Sequence, residues 1–187
     1  MITGARVGGS NLMHSIAKGS NQPYKFELDI IKDWHLVDPS LHVCKYIPFY
    51  DQSSPDFSYD FFKLVEVDKV VEKAKQFGKV LIVNRRDKME QIESLYALKM
   101  QNDNRNYVRW DESLVNRDSQ LFRNLYAYNL EIDKCLKYFS DVLNIEIDYY
   151  EDVYSSKTLN DPSIVLDYKY FSPVRKLRKK FTKKVIL

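Results

Sequence analysis

Glycine and proline are both scarce in this chain, with five and six residues respectively among 187. Aromatic residues are abundant instead, with 14 tyrosines and 10 phenylalanines, and hydrophobic residues make up 44% of the sequence. This composition argues against a disordered chain and against an all-β chain interrupted by frequent glycine turns. A chain of this length is expected to form a single domain over residues 1–187.

Cysteine is also rare, and no long apolar run is present. Cys44 and Cys135 lie far apart in the sequence and match neither a disulfide framework nor the C-x-x-C spacing of a metal site. No apolar run approaches the ~20 residues that span a bilayer, and the N-terminus lacks a basic region followed by a hydrophobic signal core. The expected location is therefore the reducing cytoplasm, with no membrane span.

Charge is nearly balanced, at a formal net value of +3, but it is unevenly distributed. The last segment, Val174–Leu187, contains no acidic residue. Its basic residues are Arg175, Lys176, Arg178, Lys179, Lys180, Lys183 and Lys184. Basic residues confined to one terminus and not interleaved with aromatic residues disfavour a nucleic-acid-binding module, which is retained only as a weaker alternative.

Apolar patterns along the chain alternate between strand-like and helix-like segments. Strands are predicted in "LHVCKYIPF", "KVLIVNRRD" and "IEIDYY", with "EDV" after the last of these. Helices are predicted in "NLMHSIAKG", "DFFKLVEVDKVVEKAKQFG", "MEQIESLYALKM" and "SQLFRNLYAYNLEIDKCLKYFSDVL". This alternation predicts an α/β protein of three layers, with a mainly parallel sheet flanked by helices.

A glycine-rich loop, "GARVGGSNL", precedes the first predicted helix. The spacing Gly4-x4-Gly9 followed by Ser10 approaches the nucleotide-binding pattern G-x-x-x-x-G-K-S/T, but no lysine stands between Gly9 and Ser10. Backbone N–H groups at a helix N-terminus attract anions whatever the side chains are, and Arg6 lies within the loop. The loop is interpreted either as a phosphate cradle or as a turn without a ligand.

Two arginines, Arg85 and Arg86, follow the strongest strand pattern. Ligands of open α/β sheets gather at such strand ends, and a guanidinium group binds phosphate through two parallel hydrogen bonds. The alternative is a strand end with a structural salt bridge to Asp87 or Glu90.

Taken together, three segments resemble the sulfotransferases that use 3′-phosphoadenosine 5′-phosphosulfate (PAPS). "GARVGGSNLM" resembles their 5′-phosphosulfate loop, which also lacks the usual lysine. "VNRRDKMEQIESLYALKM" resembles their 3′-phosphate motif, an arginine at a strand end with a serine eight positions later. "RRDKMEQIESLYA" is similar to the bacterial trehalose 2-sulfotransferase branch, and "IEIDYYEDV" is similar to a late family strand written YEDL. The resemblance implies a sulfotransferase fold of the P-loop nucleoside-triphosphate-hydrolase type.

The resemblance also implies an activity and the residues that perform it. A sulfuryl group would pass in line from PAPS to the hydroxyl of a small-molecule or glycan acceptor, without a metal. The residues implied to bind PAPS are Arg6, Gly8, Gly9, Ser10 and Asn11 at the 5′-phosphosulfate, and Arg86 and Ser94 at the 3′-phosphate. Arg6 would also stabilise charge on the departing phosphate oxygen.

The general base is not fixed by the resemblance, because the lysine-threonine-histidine sequence of many members is replaced here by Lys45 and Tyr46 in "CKYIPF". Glu27, in "QPYKFELD", is the first candidate for the base, and His42 and His35 are alternatives. Arg175 and Lys176 are candidates for a basic loop that closes over the cofactor. Tyr150, Glu151 and Asp152 are expected to stabilise the fold. A family-shaped protein that binds the nucleotide but has lost catalysis is the alternative function, and the oligomeric state is left open.

Overall fold

The computed structural model describes residues 1–4, 9–25, 33–48, 67–100 and 115–169. These ranges contain five short strands and five α-helices, with one turn of 3₁₀-helix at Trp34–Leu36. The strands are β1 (Ile2–Thr3), β2 (Tyr24–Lys25), β3 (Val43–Cys44), β4 (Ile82–Asn84) and β5 (Ile147–Tyr149). The helices are α1 (Gly9–Gly19), α2 (Val67–Ala74), α3 (Lys88–Met100), α4 (Gln120–Leu143) and α5 (Tyr150–Ser156).

The strands form a parallel sheet in two connected parts. β4 pairs with β1 on one side and with β5 on the other, and β2 pairs with β3. A single parallel bridge between Ile2 and Tyr46 joins the two parts, with the Tyr46 carbonyl accepting from the N–H of Thr3 at 3.0 Å. The resulting order is β2-β3-β1-β4-β5. Because every described pair is parallel, the carboxyl ends of all five strands lie at one edge of the sheet.

Helices cover both faces of this sheet. Successive side chains of a strand point to opposite faces. The side chain of Ile82 in β4 enters one apolar cluster, while those of Val83 and of Leu81, just before the strand, enter another. The Ile82 cluster includes residues of α2, α3 and α4, and the other includes Leu12 of α1 and Val153 of α5. The prediction of an α/β protein with a parallel sheet flanked by helices is confirmed for the described residues.

A segment that follows α5 holds α1 against the sheet. The Ser15 hydroxyl donates to the Asp167 carbonyl at 2.9 Å, and the Asp167 N–H donates to the Ser15 carbonyl at 3.0 Å. Gly19 lies so close to this segment that a Cβ atom built there would be 2.4 Å from the Val165 carbonyl oxygen. The last residue of α1 therefore has no room for a side chain.

The longest helix, α4, carries its own start and stop signals. The Ser119 hydroxyl accepts from the Phe122 N–H at 3.1 Å, and Asn144 ends the helix in the left-handed conformation at φ 53°. One side of α4 is buried against α3 and the sheet. Its buried residues are Phe122, Leu125, Tyr128, Asn129, Ile132, Cys135, Leu136 and Phe139.

The strands of the structure differ from the predicted ones in three places. β2 is not predicted by the sequence pattern at all. β3 is shorter than the predicted strand, since the N–H groups of Leu41 and His42 bond to the Asp38 carbonyl in a turn. The "YEDV" segment, which resembles a family strand, is not a strand, because α5 begins at Tyr150. The first turn of α5 contains Glu151 and Asp152, whose carboxylates interact favourably with the positive end of the helix dipole.

Two other predictions concern segments that lie partly or wholly outside the described residues. The helix predicted from residue 60 is described only from Val67, and the basic segment Val174–Leu187 lies outside the described residues. Among the helices that the structure describes, none is both long enough and apolar enough to cross a membrane.

Candidate functional site

The glycine loop connects the carboxyl end of β1 to the N-terminus of α1. Gly4 follows β1, residues 5–8 lie outside the described ranges, and α1 begins at Gly9. A Cβ atom at Gly9 would be 3.1 Å from the Thr3 Cγ2 atom, so a glycine at this position lets the start of α1 pack closely against β1. The first turn of α1 contains no acidic residue and starts with Gly9, Ser10 and Asn11. Its N–H groups are of the kind that binds anions at helix N-termini.

Lys45 brings an ammonium group to this helix end. It follows β3 directly, its side-chain Nζ atom donates to the Ser10 hydroxyl at 2.8 Å, and the residue is only 3% exposed. A buried ammonium beside a helix N-terminus adds positive potential where the backbone already supplies it. The lysine that the loop lacks in sequence is thus replaced in space by a lysine 35 residues further along the chain.

The order of the strands places β4 next to this loop. From β1 the chain passes through α1 to β2 on one side, whereas from β4 it passes through α3 and α4 to β5 on the other side. Adjacent strands whose connections leave in opposite directions form a crevice at their carboxyl ends, where α/β proteins bind ligands. Gly4 after β1 and Arg85 after β4 border this crevice.

Arg85 is a buried residue within an ion-pair network. Its guanidinium contacts the Glu90 carboxylate at 2.7 Å and lies 3.6 Å from that of Glu151. The N–H groups of Arg86 and Asp87 donate to the two carboxylate oxygens of Glu151, at 3.1 and 3.2 Å. Acidic residues of α3 and α5 therefore fix the turn between β4 and α3, as the salt-bridge interpretation of this strand end predicts.

Arg86 is held differently, at the surface. Its guanidinium makes two contacts with the Asp152 carboxylate, at 2.8 and 2.6 Å, and lies 4.2 Å from the centre of the Tyr149 ring. About half of each of the two charged side chains is exposed. Surface ion pairs of this kind contribute at most ~1 kcal/mol, so an anionic ligand could take the place of Asp152 at modest cost. The pair with Asp152 also presets the orientation of the guanidinium.

A polar cavity of about 500 Å³ opens beside these arginines, between β4, β5 and α4. The Asp133 carboxylate on its wall accepts from Lys88 Nζ at 2.6 Å and from Asn84 Nδ2 at 2.9 Å. Asn84 Oδ1 accepts in turn from Lys88 Nζ at 2.7 Å. Arg86 and Tyr149 line the same space. The sequence pattern did not single out Asn84, Lys88 or Asp133, because Asp133 enters from a helix 49 positions after Asn84.

The remaining predicted residues are placed as follows. Ser94 lies on α3 and is 7% exposed, on the same helix that begins two residues after Arg86. His42 lies before β3, at its amino end, where its Nδ1 atom accepts from the Asp38 N–H, and His35 lies on the 3₁₀ turn. Since Lys45 follows the same strand, His42 is at the opposite edge of the sheet from the crevice. The other predicted site residues, Arg6, Gly8, Glu27, Arg175 and Lys176, lie outside the described residues.

Lys45 could have been assigned to this site from its position in the sequence. A lysine directly after a β-branched strand pattern lies at the carboxyl edge of a parallel sheet, where the glycine loop also lies. Within the described ranges, no group of three or more histidine, cysteine, aspartate or glutamate residues is arranged to hold a metal ion. Searches against protein-family models, curated protein sequences and solved structures found no match to this chain.

Proposed function

We propose that this chain is a PAPS-dependent sulfotransferase, which moves a sulfuryl group to a hydroxyl of a small-molecule or glycan acceptor. The observation that carries the proposal is the contact between Lys45 and Ser10 at the start of α1. It supplies a positive side chain to a glycine loop that has none at the usual position. The P-loop-like sulfotransferase fold is part of the same proposal, and it is supported by the parallel strand order and by the loop between β1 and α1.

A phosphosulfate fits the residues at this helix end. The phosphate and the sulfate of the phosphosulfate carry several anionic oxygens. The first-turn N–H groups of α1, the Ser10 hydroxyl and the Lys45 ammonium are all hydrogen-bond donors. Gly9 leaves the approach to these N–H groups clear of a side chain. Arg6 and Gly8 retain the roles that the sequence resemblance implies.

The reaction forms a bond between the acceptor oxygen and sulfur while the bond from sulfur to the 5′-phosphate oxygen breaks. The electron pair of the broken bond goes to the phosphate oxygen, and the proton of the acceptor hydroxyl goes to a base. Lys45 and the α1 N–H groups would stabilise the charge that develops on the leaving phosphate, which is where fixed donors lower the barrier most. Glu27 remains the proposed base, and His42 is not included because of its position at the amino end of β3.

The 3′-phosphate is assigned to Arg86. Its guanidinium is exposed, preset by Asp152 and close to the polar cavity. A phosphate monoester offers the same two-point geometry as the carboxylate of Asp152 but more negative charge, so it can replace that partner. Ser94, on the helix that starts beside Arg86, is kept as the second proposed contact.

A nucleotide-binding protein without transferase activity is the second candidate. It is favoured by the position of His42 at the amino end of β3, because a base for the transfer step would have to lie at the opposite edge of the sheet, beside the crevice. Incubation with ³⁵S-labelled PAPS and a mixture of glycans separates the two: transfer of label supports the enzyme, and retention of intact PAPS supports the binding protein.

The proposed role of Lys45 is tested by the variant Lys45→Met, which keeps an unbranched side chain but removes the charge. We expect PAPS binding to weaken by about tenfold to a hundredfold, since a hydrogen bond to a charged group contributes about 1.5–3 kcal/mol. Isothermal titration calorimetry measures the change.

Lys79→Met is the matched control, because Lys79 lies before β4 and donates to the Ser163 carbonyl at 2.9 Å, away from the carboxyl edge. It should leave PAPS affinity within about twofold, a change of less than ~0.5 kcal/mol. Equal losses of PAPS affinity in both variants, or no loss in Lys45→Met, would contradict the proposed contact between Lys45 and PAPS.

A further inference from the structure

The carboxylate of Asp133, on the wall of the polar cavity, uses one of its two oxygens within the protein. Lys88 Nζ and Asn84 Nδ2 both donate to the same oxygen, Oδ1, at 2.6 and 2.9 Å. Among the residues that the structure describes, none donates to the other oxygen, Oδ2, and the side chain is 32% exposed. An ionised carboxylate accepts up to about four hydrogen bonds, so Oδ2 can still accept from a ligand in the cavity.

The position of this carboxylate is fixed by the end of β4. Asn84 is only 5% exposed, and its Oδ1 atom accepts from the Arg85 N–H at 2.8 Å and from Lys88 Nζ at 2.7 Å. These two bonds orient the amide so that its Nδ2 atom points to Asp133. The carboxylate is therefore held in place before any ligand binds, which lowers the entropy that binding costs.

The charges around the cavity favour an anion that also carries a hydrogen-bond donor. The described residues that line it include four cationic side chains and one carboxylate, which are Arg85, Arg86, Lys88, Lys137 and Asp133. The contact with Lys88 balances the charge of Asp133, so the carboxylate adds little repulsion toward an anion held by the other cations. A hydroxyl group on the same ligand can donate to Oδ2, whereas a simple anion cannot.

A ribonucleoside 3′-phosphate has this combination of groups. In the proposed function, Arg86 binds the 3′-phosphate of PAPS, and the ribose 2′-hydroxyl is attached to the neighbouring carbon of the same ring. Since Arg86 and Asp133 line one cavity of about 500 Å³, a phosphate held by Arg86 brings the 2′-hydroxyl into the space that Oδ2 faces. Carboxylates recognise ribose hydroxyls in the same way in dinucleotide-binding α/β folds.

We propose that Asp133 accepts a hydrogen bond from the ribose 2′-hydroxyl of the bound nucleotide, and that it makes the site selective for ribonucleotides over 2′-deoxyribonucleotides. Lys88 and Asn84 act as positioning residues for this carboxylate. The inference rests on the proposed binding of a 3′-phosphorylated nucleotide at Arg86. It does not depend on sulfuryl transfer, because the selectivity is a property of binding.

The test compares two ligands that differ by one hydroxyl group, adenosine 3′,5′-bisphosphate and 2′-deoxyadenosine 3′,5′-bisphosphate. We expect the unmodified chain to bind the deoxy ligand at least about tenfold more weakly, because a hydrogen bond to a charged acceptor is lost. Isothermal titration calorimetry measures both affinities, and their ratio is the readout.

Asp133→Ala should bring this ratio to within about twofold of one. Removal of a negative charge changes the affinity for both bisphosphates alike, so the ratio isolates the contact with the 2′-hydroxyl. Asp133→Asn, which keeps the size of the side chain, is the second variant. It should reduce the ratio at least about threefold, because a neutral acceptor forms a weaker hydrogen bond than a carboxylate does.

Glu131→Ala is the matched control for the loss of an acidic side chain from α4. Glu131 contacts Lys134 at 2.5 Å, and neither residue is among those that line the cavity. This variant should keep the preference of the unmodified chain for the ribonucleotide.

Two results would overturn the inference while leaving the proposed nucleotide site intact. One is equal affinity of the unmodified chain for the two bisphosphates, and the other is a preference that both Asp133 variants retain in full. Absence of binding of either bisphosphate would instead contradict the proposed function, and the inference with it.

Discussion

At the scale of single residues, the chain places several polar groups in buried positions, and each has a defined partner. Lys45 donates to Ser10, Ser15 exchanges hydrogen bonds with Asp167, and Asp148 on β5 accepts from the Asn160 N–H at 2.8 Å. Such groups are costly to bury unless they are hydrogen-bonded. Their partners lie 12 to 152 positions away in sequence. The residues themselves are visible in the sequence, but the distances between them are not.

The pKa of Asp148 is raised, mainly because burial disfavours its carboxylate. The folded protein therefore holds this proton more tightly than the unfolded chain does. As pH rises above the ordinary aspartate pKa of ~4, the unfolded chain releases the proton first, and folded-state stability falls. Asp148→Asn removes this titration and retains an oxygen for the Asn160 N–H. Its unfolding free energy should be close to that of the unmodified chain at roughly pH 3 and higher at roughly pH 7.

Urea unfolding monitored by circular dichroism at the two pH values measures this difference. A stability difference that does not change with pH, or one that favours the unmodified chain at neutral pH, would contradict the assigned burial of the Asp148 carboxylate.

Gly19 provides a second residue-scale prediction. A methyl group at this position would lie 2.4 Å from the Val165 carbonyl oxygen, which is backbone and cannot turn aside as a side chain does. Gly19→Ala should lower the unfolding free energy by about 3 kcal/mol, the upper range for overpacking. Gly78→Ala is the control, because a Cβ atom at Gly78 meets nothing within 4 Å, and it should change stability little. Equal decreases in melting temperature in Gly19→Ala and Gly78→Ala would show that the segment after α5 does not pack closely against Gly19.

At the scale of secondary structure, the helices are the part that sequence patterns predict well. α1, α3 and α4 lie where the 3.6-residue periodicity indicates, because that signal is local and repeated over several turns. The strands are only two or three residues long, so an alternation of apolar and polar residues covers too few positions to identify them. β2 was missed for this reason, and α5 was taken for the continuation of β5.

The N-terminus of α4 gives the element-scale prediction. The Ser119 hydroxyl accepts from the Phe122 N–H and so satisfies one of the unpaired donors of the first turn. Ser119→Ala should reduce stability by about 1 kcal/mol, and Ser119→Asp, which retains an acceptor, should recover most of that loss. Chemical denaturation of the three proteins checks the order, and an Asp variant no better than the Ala variant would contradict the capping role.

At the scale of the whole molecule, the parallel sheet brings together segments that are widely separated in the chain. The glycine loop, Lys45 and the strand-end arginines meet at one edge because β1, β3 and β4 are parallel neighbours. The sequence predicted the class of fold, and it predicted that the glycine loop and the two arginines follow strands. It could not predict that Lys45 reaches Ser10 or that Asp152 holds Arg86, since both depend on contacts between elements.

The proposal that this edge binds a phosphosulfate nucleotide is tested most directly by calorimetry of the unmodified chain with adenosine 3′,5′-bisphosphate, the product left when PAPS donates its sulfuryl group. We expect saturable binding of the bisphosphate that needs no divalent cation and is at least about tenfold, or ~1.4 kcal/mol, tighter than binding of ATP with Mg²⁺. Absence of bisphosphate binding, or tighter binding of Mg²⁺–ATP, would contradict it.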